Sequence, residues 1–420
     1  MNNAVDNITI ELPLSKSFFN RVLIINKLYS NEKLSIPDNS PDDTTLLYNI
    51  LNDTSLNEYY CHNAGTVVRF LLSFFACRTA EFKEVTITGS SRMQLRPIAP
   101  LADALTQLGA SVRYEDKTGF LPITITKPVD LSSKEVHIHD TISSQYITSL
   151  MMIGPKFIDG LKIHYNNIPS FEYITMTSGI MNSLRLTNSI SNNCITINHN
   201  DKEIDISTIK IERDWSSAAS WFPIALIYPH TEFTFKDLHF GSLQGDEKIR
   251  IIAELFGIES KDTIEGVKIQ RTAQVEKATK AYNKHRIINI IDNPDLAPTI
   301  SALSALSEGT TIMEGISNLK WKESDRISGI VDNLRKINVE VEHDDNKMVI
   351  FSKKGIENIR NIDKSIKLQS FQDHRIAMLC IPFHLINNNV TIDDITCISK
   401  SYPEFINQIR INLVPLQDKL

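Results

Sequence analysis

The sequence predicts an α/β fold with mixed sheets, assembled from several copies of one small unit and divided between two lobes. Two observations carry this. First, one pattern recurs: an amphipathic helix, a short break, then two alternating strands, with copies starting at Leu101, Ser178, Arg250 and Gly329. The starts lie 77, 72 and 79 residues apart. That is longer than a solenoid repeat of roughly 20–50 residues and suits a duplicated compact module. Second, helical and strand periods alternate along 420 residues, a length that suggests two or more domains.

The copies can be read in chain order. "LADALTQLGASVRYEDKTGFLPITI" begins at Leu101, and "SGIMNSLRLTNSISNNCITI" at Ser178. "RIIAELFGIESKDTIEGVKI" begins at Arg250, and "GIVDNLRKINVEVEHDDNKMVI" at Gly329. "TTLLYNILNDTSL" and "EFINQIRINL" read as partial copies, which brings the count to about six. The lobe junctions are expected near residues 15 and 212. One discontinuous lobe would then hold 1–15 and 213–420, and an inserted lobe 16–212.

Composition narrows the function classes. The chain is 42% hydrophobic and 22% charged with net charge −6, the composition of an ordinary soluble protein. A mildly acidic chain lacks the basic face that nucleic-acid binding needs, so an anionic ligand must be held by locally gathered Lys and Arg. Five scattered cysteines without CxxC spacing fit free thiols in a reducing compartment and no structural zinc. No run of about 18 apolar residues predicts a membrane span. "MNNAVDNITIELPLSKS" has no basic-then-apolar signal pattern, so a cytoplasmic location is expected.

Several helix starts carry more polar chemistry than a single cap requires. "LPLSKSFFNRVLIINKL" puts Lys16, Ser17 and Arg21 at the head of an apolar helix. Backbone N–H groups, a hydroxyl and two cations there form either an anion site or a capped, solvated end. "HNAGTVVRFLL" holds Asn63, Gly65 and Arg69, and Arg69 would be costly to bury without an anionic partner. "GSSRMQLRPIAPL" places Arg92 and Arg96 before Pro97. In "TISSQYITSLMM", Ser143, Ser144 and Gln145 could receive a phosphate and a polyol, or one of them could cap. "IPSFEYITMTSGI" repeats that arrangement with Ser170 and Tyr173.

Asp295 in "NPDLAPTISAL" reads as a cap or a base. "WKESDRI" crowds Lys322, Glu323, Asp325 and Arg326 into one stretch; on a single helix Lys322 and Arg326 would form a like-charge i, i+4 pair. His374 and Arg375 stand beside Asp373 before another apolar helix, and "CISKSYPEF" offers Lys400. Equivalent ends of duplicated modules can converge on one positive cleft, which points to substrates with several negative charges. Glu323 and Asp295 would be carboxylates available there for proton transfer.

Seven segments, "LSKSFFNR", "NAGTVVR", "RMQLRP", "SSQYITSLMM", "KESDR", "DHRIAM" and "SKSYPEF", occur in the order and spacing of one family. Through them the chain resembles the 3-phosphoshikimate 1-carboxyvinyltransferase (EPSP synthase) family from residue 12 to about 406. The resemblance implies a two-lobed inside-out α/β barrel with six βαβαββ units, three in each lobe. It implies transfer of the enolpyruvyl group of phosphoenolpyruvate to the 5-hydroxyl of shikimate 3-phosphate, through a tetrahedral ketal and with release of phosphate. This is a step of the shikimate pathway to aromatic amino acids. No metal or organic cofactor is implied, nor any nucleic-acid or membrane partner, and a monomer is expected.

Carried over motif by motif, Lys16, Ser17, Arg21, Ser143, Ser144, Gln145, Ser170, Tyr173, Asp295, Asn318 and Lys322 resemble shikimate 3-phosphate contacts. Asn63, Gly65, Arg96, Gln145, Arg326, Arg375 and Lys400 resemble the phosphoenolpyruvate pocket, with Lys16 bridging both ligands. Asp295 is similar to the base that takes the hydroxyl proton, and Glu323 to the acid that protonates the methylene carbon. His374 would tune this cluster, and Asp325 would hold Arg326 or cap.

The chain departs from the family pattern at Leu14 and Arg213, where members tend to have Gly, and at Phe70, commonly Pro. Two rival readings remain. One is the sister enolpyruvyl transferase acting on UDP-N-acetylglucosamine, which usually carries a Cys near the second Arg of its site; "GSSRMQLRP" has none. The other is a non-catalytic anion-binding paralogue, which would be expected to lose Lys16, Asp295 or Glu323.

Overall fold

The computed structural model describes residues 6–30, 32–80, 82–139, 143–271 and 285–413. The first five residues of the N-terminal stretch, and Thr141 and Ile142 of "TISSQYITSLMM", lie outside them. The chain divides into two compact units. One comprises Met1–Ser15, Asn39–Pro41 and Glu212–Leu420; the other comprises Lys16–Asp38 and Asp42–Ile211.

The repeat is visible as four sheets of identical topology. Strand β1 (Asp6–Ile10) belongs to the first unit. In the second unit, β2 (Glu58–Tyr60), β3 (Val85–Thr88), β4 (Ser111–Tyr114) and β5 (Ile123–Lys127) assemble in the order β2-β3-β5-β4. There too β6 (Glu135–Ile138), β7 (Leu161–Tyr165), β8 (Asn188–Ser191) and β9 (Cys194–Ile197) assemble as β6-β7-β9-β8. Back in the first unit, β1 joins β10 (Thr231–Lys236), β11 (Ile258–Thr263) and β12 (Gly266–Arg271) as β1-β10-β12-β11. Strands β13 (His285–Asn289), β14 (Gly309–Glu314), β15 (Glu340–His343) and β16 (Lys347–Ser352) form β13-β14-β16-β15. Each sheet has one parallel pair followed by two antiparallel ones.

Four complete copies are thus present among the described residues, together with one parallel pair, β17 (Ile366–Leu368) with β18 (Val390–Ile392). The stretches read as partial copies form the helices Asp42–Asn52 and Phe405–Asn412.

Within each unit the usual layering is reversed: helices are enclosed and sheets keep one open face. In the helix Gly65–Ala76 every residue but Thr66 is buried, and in Ser144–Ile153 every residue but Gln145. Strand β6 alternates exposed and buried positions. A helix without solvent must satisfy its hydroxyls internally. In the helix Ala297–Leu306, Ser301 and Ser304 each donate to the carbonyl four residues back, at 2.7 Å. Ser73 and Ser149 hydrogen-bond each other at 2.9 Å between two such helices.

The family-departing Leu14 and Arg213 face one another in an isolated antiparallel bridge. Arg213 donates to the Leu12 carbonyl at 2.7 Å and lies 3.3 Å from Glu11, so its side chain ties the first strand's exit to the chain's return. All five cysteines are unpaired. No helix among the described residues is long and apolar enough to cross a membrane.

Candidate active site

The predicted site residues fall into two sets, one in each unit. In the unit built on Lys16–Asp38 and Asp42–Ile211, they gather at the starts of buried helices. Lys16 opens the helix Lys16–Tyr29 and pairs with Asp43 at 3.1 Å. One turn on, Arg21 is buried; it donates to Thr177 Oγ1 at 2.6 Å, to the Ser17 carbonyl at 2.6 Å and to the Tyr173 carbonyl at 3.4 Å. Its guanidinium stacks on the rings of Phe70 and Tyr173, at 5.3 and 5.7 Å. Phe70, where the family commonly has Pro, therefore supplies an aromatic face to this cation. Burial pulls the Arg21 pKa down to about 10.

Gly65 is the first residue of its helix, one residue after Ala64 and two after Asn63. A Cβ on Gly65 would stand 2.7 Å from Arg96 Nη1 and closer still to Arg69 Nη1, so the glycine is what admits both guanidiniums. Arg69 donates to Gln145 Oε1 at 3.1 Å and lies over the Tyr146 ring at 5.3 Å, while its Nε is buried without a hydrogen-bond partner. Gln145 in turn donates to Thr66 at 3.3 Å. Ser143 is a cap, accepting from the Gln145 amide at 3.3 Å, and Ser144 is buried. Ser170 holds a left-handed backbone, φ 62°, just before the helix Glu172–Ser183 that carries Tyr173. Four cations collect here, and the hydrogen bonds of Arg21 and Arg69 go to neutral groups. Such an arrangement attracts an anion.

In the other unit the charges are already interlocked. Asp295 sits in a single turn, Pro294–Leu296, and its carboxylate does not cap the following helix. It meets Arg326 at 2.7 Å, Lys322 at 3.2 Å and Arg375 at 3.4 Å. Asp373, wholly buried, receives Arg326 Nε at 2.8 Å and the Ser324 hydroxyl at 3.1 Å, and caps the helix His374–Ile386 through the Arg375 amide at 2.9 Å. Glu323 is held by His374 Nδ1 at 2.9 Å and Lys400 at 3.1 Å. Asn318 is buried in the turn Ser317–Trp321.

Burial opposes the Arg326 charge, but Asp373 and Asp295 outweigh it and push the guanidinium's pKa above its ordinary value. Burial lowers the Lys322 pKa against the opposing pull of Asp295. Burial raises the Asp246 carboxyl to about 6, with Arg375 lowering it and Asp295 raising it further; Ser216 hydrogen-bonds this carboxylate. Glu323, Asp373 and His374 place donor atoms within 4.8 Å of one another, yet Arg326 and Lys400 already pair with their carboxylates. The cluster is an ion-pair network rather than a cation site.

One expectation for "WKESDRI" needs correction. The helix begins at Arg326, not at Lys322, because Asp325 caps it by accepting from the Ser328 amide at 3.2 Å. Lys322 and Arg326 are therefore not neighbours one turn apart; both reach the same carboxylate, that of Asp295. Asp325 is a cap, and Arg326 is held by Asp373 and Asp295. The sequence reading missed Asp43, Asp246 and Asp373 as charge partners. Each stands in a turn or first helical turn, where an acid ordinarily signals only a cap.

The profile of one family, "EPSP synthase (3-phosphoshikimate 1-carboxyvinyltransferase)", matches residues 43–409. The chain belongs to the EPSP synthase family. A 3-phosphoshikimate 1-carboxyvinyltransferase of Bacteroides fragilis (strain YCH46) is 32% identical over 96% of this chain and 94% of its own length. One from Shewanella baltica (strain OS155) is 29% identical over 95% of each chain. Among solved structures, an EPSP synthase from Acinetobacter baumannii superposes with a TM-score of 0.71, covering 98% of this chain and 96% of that one. At 17% identity that likeness speaks to the fold alone, the two-domain α/β architecture of EPSP synthases.

Proposed function

We infer that this chain transfers the enolpyruvyl group of phosphoenolpyruvate to the 5-hydroxyl of shikimate 3-phosphate, the reaction its family is named for. The observation that carries the reading is the contrast between the two residue sets. One gathers Arg21, Arg69 and Arg96 with hydroxyls and amides, as a phosphorylated polyol requires. The other holds Asp295 and Glu323 among cations and an imidazole, as proton transfer beside an anionic substrate requires. The Lys16–Asp38 and Asp42–Ile211 unit would bind shikimate 3-phosphate through Lys16, Ser17, Arg21, Ser143, Ser144, Gln145, Ser170 and Tyr173. By the family resemblance, Asp295, Asn318 and Lys322 would also contact shikimate 3-phosphate, and Arg326, Arg375 and Lys400 phosphoenolpyruvate. Asn63, Gly65 and Arg96 would complete the phosphoenolpyruvate contacts.

The geometry suggests how the acids are made ready. Three cations hold the Asp295 carboxylate and engage its oxygens. Phosphoenolpyruvate brings its own carboxylate and phosphate; when Arg326 and Arg375 turn to these, Asp295 is released to accept the 5-hydroxyl proton. As the oxygen attacks C2, Glu323 delivers a proton to the methylene carbon. His374 and Lys400, both hydrogen-bonding distance from Glu323, can resupply it. Loss of phosphate from the ketal and return of that proton complete the transfer.

The test is phosphate release with shikimate 3-phosphate and phosphoenolpyruvate offered together, each alone, and with UDP-N-acetylglucosamine as acceptor. Release is expected only with the first pair; release with the nucleotide sugar would overturn the substrate assignment. Glu323→Gln should lower turnover by about 10²–10⁴-fold with the fold intact. Near wild-type turnover would remove Glu323 from the mechanism.

A further inference from the structure

Away from the helix starts, the exposed face of the sheet β6-β7-β9-β8 carries a second cluster of reactive side chains. On the parallel pair β6 and β7, His137 lies directly opposite His164, and Glu135 stands two residues before His137 on the same face. The two imidazoles stack, ring centres 4.5 Å apart and planes inclined by 12°. Glu135, His137 and His164 each bring one donor atom within 4.8 Å of the others.

We propose that Glu135, His137 and His164 form a binding site for a divalent transition-metal ion of the zinc, cobalt or nickel class. The geometry of one pair already fits. Glu135 Oε2 and His164 Nε2 are 3.4 Å apart. Two donors so spaced, each about 2.1 Å from a shared ion, subtend about 108°, close to the tetrahedral angle of zinc. His137 is exposed, so its ring is free to turn the short distance needed.

An independent observation is that His164 Nε2 is shut off from solvent and makes no hydrogen bond, although Glu135 is so near. A polar nitrogen left in that condition is costly, and a bound cation would satisfy it. The register extends the row: Cys194 on β9 pairs with His164 on the same face and offers a thiol beside the imidazoles. Imidazole and thiol donors favour borderline transition ions over magnesium or calcium. Lys162 stands opposite Glu135 in the register on β7, a like charge that an incoming ion would meet on that face. Occupancy would tie the edge strand β6 to β7 and add stability without touching the catalytic groups.

Calorimetric titration of the full chain with zinc chloride tests this, with cobalt(II) absorption in the visible as a check on tetrahedral coordination. The intact chain should take up an equivalent that His137→Ala and His164→Ala lose, or bind at least about tenfold more weakly. Zinc should raise the melting temperature of the intact chain and not that of His137→Ala, while enolpyruvyl transfer is unchanged by that substitution. Because His137 is exposed, its replacement leaves folding intact and decides the matter alone if His164→Ala misfolds. No zinc uptake by the intact chain, or equal uptake by His137→Ala, would overturn the proposal.

Discussion

At the scale of single residues, Gly65 is the position where the smallest change has the clearest consequence. An added methyl group meets Arg96 Nη1 at 2.7 Å and Nη2 at 2.9 Å, and presses on Arg69 as well. Gly65→Ala should therefore displace the guanidiniums and raise KM for phosphoenolpyruvate about tenfold, equivalent to about 1.4 kcal/mol. Steady-state kinetics would check it, and an unchanged KM would mean these arginines do not meet that substrate. Asp246 gives a second prediction. Its carboxyl is raised from 3.8 to about 6 by burial, so between those values the folded chain holds a proton that the unfolded chain has lost. Wild-type stability must then fall as pH rises through that window. Asp246→Asn has no such group, so its melting temperature relative to wild type should be more favourable at pH 7 than at pH 4. Lys16, Arg21, Glu323 and Arg326 were legible because cations and acids crowded at or just before helix starts are conspicuous. Their partners Asp43 and Asp373 were not, since an acid in a first turn looks the same whether it only caps or also holds a distant cation.

At the scale of elements, the helix Arg326–Lys336 explains what pattern reading can and cannot place. Its apolar periodicity, "ISGIVDNLRKI", was evident, and so was the crowding of charge before it. Which residue ends the irregular stretch depended on Asp325, whose carboxylate accepts from the Ser328 amide at 3.2 Å and the Ser328 hydroxyl at 2.9 Å. Capping by Asp325 leaves Lys322, Glu323 and Ser324 in non-helical backbone, free to turn toward separate partners. Asp325→Ala should cost about 0.5–2 kcal/mol through loss of that cap. Arg326 keeps its bonds to Asp373 and Asp295, so turnover should fall far less than in a variant of either acid. Thermal denaturation and turnover measured on the same preparation separate the two effects. A collapse of turnover with an unshifted melting temperature would assign Asp325 a direct part in catalysis.

For the whole molecule, duplication is what the sequence displayed best and long-range pairing what it displayed least. Four helix-and-hairpin copies were visible because each carries its own period, and each became an antiparallel hairpin on a sheet. The parallel strand that completes each sheet left no local trace. Strand β1 is the extreme case: Asp6 pairs with Thr231, and the ladder runs in register to Ile10 opposite Phe235. The first unit therefore depends on a short N-terminal strand separated from its partner by the entire second unit. That strand is anchored by apolar contact as well as by its ladder, with Ile10 fully buried and Leu12 1% exposed. Replacing a buried Ile by Ala ordinarily costs about 2–5 kcal/mol, most where the site cannot collapse around the cavity. The Ile10 site lies in the packed core of its unit, opposite Phe235 in the ladder, a rigid aromatic neighbour that cannot easily fill the gap. Ile10→Ala should accordingly lower the denaturant midpoint, and inactivation on warming should come earlier, because Asp295, Glu323 and Arg375 belong to the same unit. A midpoint equal to wild type would mean that this sheet stands without its first strand, and that the N-terminal segment is held by the Arg213 contacts instead.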